Sequence, residues 1–312
     1  MSTPMTPEDR VFVAGHRGLV GSAIVRELQS SGYEQILTRT RTELDLTDAA
    51  AVMAWFKAQR PQVVILAAAK VGGIYANSTF PADFILENLA IQQSVITAAF
   101  KAGVRRFLFL GSSCIYPRNC PQPIREEYLL TGPLEETNRP YALAKIAGLE
   151  TISSLNHQYG TCYQSLMPTN LYGPNDNFDS LNSHVLPALV RRFEEARRQK
   201  ANQVVVWGSG QPRREFLHSE DLARAVRFVL EHTNETRLLN VGTGTDVSIR
   251  ELAELVAELT GFPGEIVFDP SKPDGTPRKL LDVSRINELG WHSVIQLHEG
   301  LADVVEAYRR LT

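Results

Sequence analysis

Cysteine is scarce in this chain of 312 residues: Cys114, Cys120 and Cys162 are all it has. A small, odd set of thiols argues against a disulfide framework and fits a reducing compartment. None stands at zinc-ligand spacing with histidines, so no metal is implied. Long apolar runs are missing as well. The longest, Val63 to Ala69, is far too short to span a bilayer. Met1 to Arg10 is polar, without the apolar stretch of a signal peptide. Excess charge of either sign is also absent. The 32 Lys+Arg and 35 Asp+Glu leave a net charge of −3, which excludes a general polyanion binder but not a local basic pocket. There is no internal repeat and no low-complexity segment. What remains is 43% hydrophobic and 21% charged, an ordinary globular composition that excludes disordered and collagen-like chains. The length suits roughly two domains, or one large α/β unit with an appendage. A soluble, cytoplasmic protein is the expectation.

The first half alternates short apolar runs with helical spacing. Val11 to Ala14, Gln35 to Thr38, Val63 to Ala67, Phe107 to Leu110 and Thr161 to Leu166 read as strands. Between them, Leu19 to Ser31, a Thr47-capped stretch through Gln59, Pro81 to Ala102 and Tyr141 to Tyr159 read as helices. Repeated βαβ units predict an α/β fold with a doubly wound parallel sheet of the Rossmann kind. After Met167-Pro168 the rhythm changes. A loop of Gly173 to Asn177 precedes a basic helix from His184 to Lys200, a strand from Val204 to Trp207 and the basic loop Pro212-Arg213-Arg214. Helices are expected at Asp221 to Glu231, Ser248 to Leu259 and His298 to Arg310, with strands at Leu239 to Val241 and Ile266 to Phe268. Residues 1–170 thus read mainly as a dinucleotide-binding domain. Residues 171–312 read mainly as a smaller C-terminal α/β substrate domain, with some segments returning to the sheet.

Strand one runs into Gly15-His16-Arg17-Gly18-Leu19-Val20-Gly21 and a helix follows. The first glycine suits a tight turn, the second a close approach to a pyrophosphate, and the third the packing of helix on strand. The helix N-terminus then offers amides to the phosphates. An acidic residue to hold an NAD ribose is missing at the end of strand two. Arg39-Thr40-Arg41 stands there, with Arg17 inside the loop, and guanidinium groups suit the 2′-phosphate of NADP(H).

Tyr141 and Lys145 are four residues apart on one helix, hence on one face. Ser112 follows strand four, at the end of a parallel sheet where ligands bind. A lysine beside a tyrosine is expected to favour the phenolate, so the tyrosine can exchange a proton with a substrate oxygen that the serine polarises. Cys114 lies two residues past Ser112 and, in extended backbone, points the same way. Cys162 reads as a small residue inside an apolar strand.

On these motifs the chain resembles the extended short-chain dehydrogenase/reductases that act on nucleotide sugars. Within them it resembles the GDP-4-keto-6-deoxy-D-mannose 3,5-epimerase/4-reductases, which form GDP-L-fucose. The likeness runs through nearly the whole chain. Its narrow segments are the lysine-bearing Ala69-Lys70-Val71-Gly72-Gly73, Ser112-Ser113-Cys114 and Asn182-Ser183-His184, and Lys272 to Lys279 matches as well. The resemblance implies catalytic roles for Ser112, Tyr141 and Lys145, with Cys114 and His184 as the epimerase acid/base pair. It implies cofactor contacts from Gly15, Arg17, Gly18, Leu19, Val20, Gly21, Arg41, Leu110, Gly111, Lys145, Pro168, Asn170, Leu171 and His184. Arg192, Trp207, Arg214 and Asp274 are its implied GDP-sugar contacts. Related enzymes pair through two long helices, so a homodimer through Pro81 to Ala102 and Tyr141 to Tyr159 is expected, with no nucleic-acid or membrane partner.

Other members of the superfamily are the rivals. A 4,6-dehydratase is expected to carry a glutamate after strand four, and Ser112 to Tyr116 has none. A 4-epimerase favours the acidic strand-two end that is missing here. A non-catalytic NADP(H)-binding regulator usually loses the tyrosine or lysine, and both are kept.

Overall fold

The computed structural model describes residues 3–179, 183–272 and 274–312. Asn182 and Pro273, in two of the resembling segments, lie outside the described residues. In chain order the elements are β1 (Val11–Ala14), α1 (Leu19–Ser30), β2 (Ile36–Leu37), α2 (Ala49–Gln59), β3 (Val63–Leu66), α3 (Ile74–Thr79), α4 (Pro81–Lys101), β4 (Arg106–Leu110), α5 (Arg139–Tyr159) and β5 (Tyr163–Pro168). The second half continues with β6 (Asn170–Tyr172), α6 (Val185–Arg198), β7 (Gln203–Trp207), β8 (Arg213–Arg214), β9 (Phe216–His218), α7 (Ser219–His232), β10 (Leu239–Val241), β11 (Val247–Ser248) and α8 (Ile249–Thr260). It ends with β12 (Glu265–Asp269), β13 (Arg278–Lys279), α9 (Ser284–Glu288) and α10 (Leu297–Leu311).

The central sheet has six strands in the order β10-β5-β4-β3-β1-β2, all parallel. Every residue of β1, β3, β4 and β5 is buried. Helices cover both faces of such a sheet, which explains the apolar runs of β1 and β3, while β4 opens on the buried Arg106 and β5 carries the buried Gln164 and Ser165. α1 packs on α7, while α4 packs between α2 and α5. The order reverses between β1 and β3, so the crevice beyond their carboxyl ends is the switch point where a ligand can lie.

A second apolar core joins α6, α8 and α10 through Leu189, Phe193, Val204, Val206, Leu252, Val256, Leu301 and Val304. Small sheets flank it: β7 with β12, β6 with β9, and β8 between β11 and β13. Glu215, which is fully buried between β8 and β9, ties these pieces together. Its carboxylate accepts from the Thr243 and Gly244 amides, both at 2.7 Å, and from the Leu281 amide at 3.0 Å.

Three local expectations need correction. Asp48, not Thr47, caps α2: its carboxylate accepts from the Ala50 and Ala51 amides, while Thr47 is engaged by Asp45. A carboxylate one residue nearer the helix reaches the orphan amides that the hydroxyl does not. Cys162 lies just before β5 and is half-buried, its Sγ near Arg106 Nη1 at 3.4 Å and Asn234 Oδ1 at 3.5 Å, a polar setting and not an apolar strand. Cys114 is not in extended backbone, because Ser113–Ile115 is a single 3₁₀ turn capped by Ser112.

The glycine turn is sterically determined. Gly15 has φ +91°, and a Cβ there would lie 2.7 Å from the Ala68 nitrogen. A Cβ on Gly21 would lie 2.1 Å from the Gly15 carbonyl oxygen. Gly21→Ala is therefore expected to destabilise the protein by about 1–3 kcal/mol, the usual range for overpacking, in urea unfolding followed by circular dichroism. Unchanged stability would contradict this close approach.

Candidate active site

Most residues assigned to the cofactor lie where the parallel strands end. Gly15 to Gly21 follow β1, Gly111 follows β4, and Pro168, Asn170 and Leu171 lie at or after the end of β5. A Cβ on Gly18, at the N-cap of α1, would meet nothing nearer than the Gly15 carbonyl oxygen at 3.6 Å. The cradle is thus closed by Gly15 and Gly21 and open at Gly18, the shape a bound pyrophosphate needs. The Asn170 side chain donates to the Glu215 carbonyl at 2.8 Å.

The arginines at the end of β2 are held in different ways. Arg41 pairs with Glu87 at 3.0 Å and lies 3.9 Å from Asp45. Lys70 holds the same Glu87 at 3.3 Å. Arg39 lies over the Trp55 ring, 5.6 Å from its centroid. Arg17 is exposed.

Ser112 joins the reactive side chains. Its hydroxyl accepts from the Cys114 amide at 3.3 Å and shares side-chain hydrogen bonds with both Cys114 and Tyr141. The capped turn after β4, not strand alternation, brings serine and cysteine together. Lys145, 5% exposed, donates to the Leu110 carbonyl at 2.8 Å and lies 5.7 Å from the centre of the Tyr141 ring. Burial lowers its pKa to about 8.

The expected lowering of the Tyr141 pKa is reversed. Burial, and then Cys114, push it up, and the Ser112 hydrogen bond opposes them only in part. The physical reason is that the ammonium is spent on the Leu110 carbonyl and is itself desolvated. Burial also pushes the Cys114 thiol up, with Lys279, Ser112 and Lys145 acting the other way.

His184 is the N-cap residue of α6. It is exposed, yet the protein on its flanks and the nearby Lys279 lower its pKa. Lys279 is the site residue that the sequence reading passed over. Its charge lowers the pKa of Cys114 and His184, and Arg214 in turn lowers its own. The signal was its position in the segment ending Arg278-Lys279, one strand from Arg214.

The basic helix sorts its charges. Arg191 pairs with Glu195 at 2.7 Å, and Arg197 with the fully buried Glu194 at 2.9 Å. Arg198 lies 3.9 Å from the same Glu194. Arg192 instead donates to the Val205 carbonyl at 2.7 Å and lines a cavity of about 400 Å³ with Glu195, Gln203, Val205 and Trp207. This cavity is not over the Ser112 cluster. The hydrogen-bonded cluster, not this hollow, marks the chemistry. Asp274 accepts from the Ser209 amide at 2.9 Å and hydroxyl at 2.6 Å. Arg214 donates to the Arg213 and Thr276 carbonyls and feels the charge of Asp274. Electrostatic neighbours therefore run from Cys114 through Lys279 and Arg214 to Asp274, whereas Trp207, 65% exposed, has no contact with the Ser112 cluster among the described residues. No group of three or more metal-ligating side chains occurs among the described residues.

The raised Tyr141 pKa can be measured with 3-fluorotyrosine placed at 141 and ¹⁹F NMR of the protein alone. The ionisation midpoint should lie above that of free fluorotyrosine. A midpoint at or below it would show that Lys145 outweighs burial.

Comparison with known proteins agrees with this geometry. The sequence pattern of the NAD dependent epimerase/dehydratase family matches residues 11–242. A rice protein (Oryza sativa subsp. japonica), "Probable GDP-L-fucose synthase 1", is 59% identical over 300 residues, covering 96% of this chain and 92% of its own length. The GDP-L-fucose synthase of Escherichia coli (strain K12) is 55% identical over 308 residues, covering 96% of each. The solved structure of a GDP-L-fucose synthetase from Naegleria fowleri bound to NADP is similar at a TM-score of 0.91 and 28% identity, over 99% of this chain and 95% of that one. This chain belongs to the NAD dependent epimerase/dehydratase family.

Proposed function

We propose that the chain is a GDP-L-fucose synthase, which converts GDP-4-keto-6-deoxy-D-mannose to GDP-L-fucose by epimerising C3 and C5 and then reducing C4 with NADPH. The observation that carries this reading is Ser112, at the carboxyl end of β4, hydrogen-bonded to both Cys114 and Tyr141. A simple reductase needs the serine and tyrosine but has no use for the thiol beside them. Residues 1–170 serve mainly the cofactor and residues 171–312 mainly the sugar nucleotide.

The chemistry follows from the ketone. A C4 carbonyl acidifies the protons on C3 and C5, because the electron pair left behind delocalises onto the ketone oxygen. Inversion needs a base on one face and an acid on the other. Thiol and imidazole, with reference pKa values of about 8.5 and 6.5, bracket neutrality. Cys114 and His184 take these roles. Ser112 and Tyr141 donate to the enolate oxygen as it gains charge, and Tyr141 protonates the C4 oxygen in the reduction.

NADPH, when bound, supplies the hydride for C4. The cradle of Gly15, Gly18 and Gly21 fits its pyrophosphate, with Leu19, Val20, Leu110, Gly111, Lys145, Pro168, Asn170, Leu171 and His184 around the rest. Arg17 and Arg41 suit its 2′-phosphate. Arg192, Trp207, Arg214 and Asp274 take the GDP moiety, the guanidinium groups matching phosphate oxygens.

A homodimer suits α4 and α5. They pack side by side and leave Leu86, Leu143 and Tyr159 67%, 43% and 55% exposed, an apolar surface that a second copy would cover. A reducing cytoplasm suits three unpaired cysteines. No described helix is long and apolar enough to cross a membrane.

Adding GDP-4-keto-6-deoxy-D-mannose should consume NADPH, read as loss of its absorbance. No consumption by protein that binds NADPH would overturn the reading. Cys114→Ser should slow solvent-deuterium incorporation at C3 and C5 at least about 100-fold, as loss of a general acid/base does, while leaving NADPH affinity unchanged. Near-normal exchange would remove Cys114 from the mechanism. In sedimentation the protein should run as a dimer, and Leu86→Glu as a monomer. A wild-type monomer would contradict the pairing.

A further inference from the structure

Arg41 stands on a turn that follows β2. The Glu43 and Leu44 amides donate to the Thr40 carbonyl at 3.1 and 2.9 Å, and the Glu43 carboxylate accepts from the Thr40 amide and hydroxyl, both at 2.7 Å. The backbone around Arg41 is therefore fixed, but its side chain is 69% exposed. A long exposed side chain spreads over many rotamers unless a partner holds it. The partner here is Glu87 of α4, whose Oε1 accepts from Arg41 Nη1 at 3.0 Å.

Glu87 is held in turn from its other oxygen. Its Oε2 accepts from Lys70 Nζ at 3.3 Å, and Asp83 accepts from the same ammonium at 3.2 Å. Residues four apart share one face of a helix, so the two carboxylates of α4 grip Lys70 together. The backbone of Lys70 is pinned to α4 as well. The buried Asn88 accepts from the Lys70 amide at 2.9 Å and donates to the Lys70 carbonyl at 3.0 Å and the Phe84 carbonyl at 2.7 Å. A chain of contacts thus runs from the loop after β3, through α4, to the arginine after β2.

The contact with Glu87 uses one corner of the guanidinium. Among the described residues, Nε and Nη2 of Arg41 make no hydrogen bond. Asp45 stands 3.9 Å from Nε, beyond hydrogen-bond reach, and its Oδ1 is taken by Thr47. The Nε–Nη2 edge is a fork that can meet two oxygens of one phosphate. Arg39 is committed elsewhere: its Nη1 donates to the Thr38 carbonyl at 2.6 Å, and its guanidinium lies over Trp55. A bare carboxylate beside the Arg41 fork would repel a phosphate. Lys70 offsets the charge of Glu87, while Asp83, 59% exposed, is screened by water.

We propose that Glu87 is a positioning residue that sets the coenzyme preference: it holds Arg41 with the Nε–Nη2 edge free for the 2′-phosphate of NADP(H). This rests on the reading of Arg41 as a contact of that phosphate. Glu87 touches no reacting atom and acts through the arginine. NADH carries no such phosphate, so its binding does not draw on the pairing.

The test is equilibrium binding of NADPH and of NADH to the full-length protein, read from nicotinamide fluorescence. Glu87→Gln keeps the shape of the side chain and removes its charge. It should raise the Kd for NADPH about threefold to fivefold, the scale of an exposed ion pair, and leave the Kd for NADH unchanged. In an Arg41→Ala background the same substitution should change neither, because nothing remains to be positioned. Lys70→Met leaves the Glu87 charge without its offset and should weaken NADPH binding in the same selective way. An unchanged Kd for NADPH in Glu87→Gln overturns the proposal. A lower one also overturns it, marking Glu87 as a competitor of the phosphate. Equal loss of both coenzymes overturns it too, since that is the mark of a disturbed fold. Arg41→Ala alone separates the premise from the proposal. If it leaves the ratio of NADPH to NADH affinity unchanged, the reading of Arg41 fails and the proposal with it. If it lowers the ratio and Glu87→Gln does not, the role of Glu87 alone is overturned.

Discussion

The buried carboxylate of Glu215 is the contact on which the rest of the site depends. Taking an ionised carboxylate out of water costs several kcal/mol unless its oxygens are well satisfied. Here three backbone amides satisfy them, two from the turn after β10 and one from the segment after β13. Its own carbonyl accepts from Thr169 and Asn170 at the end of β5. One residue thus joins the edge of the central sheet to the smaller half of the molecule. The fit leaves no spare room: a Cβ on Gly242 would lie 2.2 Å from its Oε1.

From that fixed point a division of charge follows. Cations on the outer surfaces are neutralised, as Arg213 and Arg278 are by Asp246 and Arg197 is by Glu194. Two cations in the proposed sugar-nucleotide site are not. Arg192 and Arg214 rest on backbone carbonyls, and burial lowers the pKa of both. Such guanidinium groups are desolvated and await an anion. A net charge of −3 conceals this, since a whole-chain sum cannot show which charges are already paired.

The sheet was legible in the sequence because buried parallel strands write themselves as short apolar runs, as β1, β3 and all of β4 after Arg106 do, whereas β5 carries Gln164 and Ser165 among its apolar residues. The short pieces were not. β6, β8, β9, β11 and β13 are two or three residues each, too brief for any periodicity, and they form through tertiary partners such as Glu215. The glycine turn, Ser112, Tyr141 and Lys145 were legible because spacing alone sets their geometry. The link from Ser112 to Cys114 was expected for the wrong reason, since a capped 3₁₀ turn makes it. Lys279 stayed hidden because the face it takes is set by a two-residue strand, too short to show any periodicity. The direction of the Tyr141 shift was missed because desolvation is a property of the folded interior.

The central claim is that one cluster performs both proton exchange and reduction on the same sugar. The most direct measurement is NMR of the product formed by the wild-type protein in D₂O from GDP-4-keto-6-deoxy-D-mannose and unlabelled NADPH. The account predicts GDP-L-fucose with deuterium at C3 and C5 and protium at C4. A reduced product carrying no deuterium at C3 and C5 would contradict it, leaving a 4-reductase in which the thiol has no part.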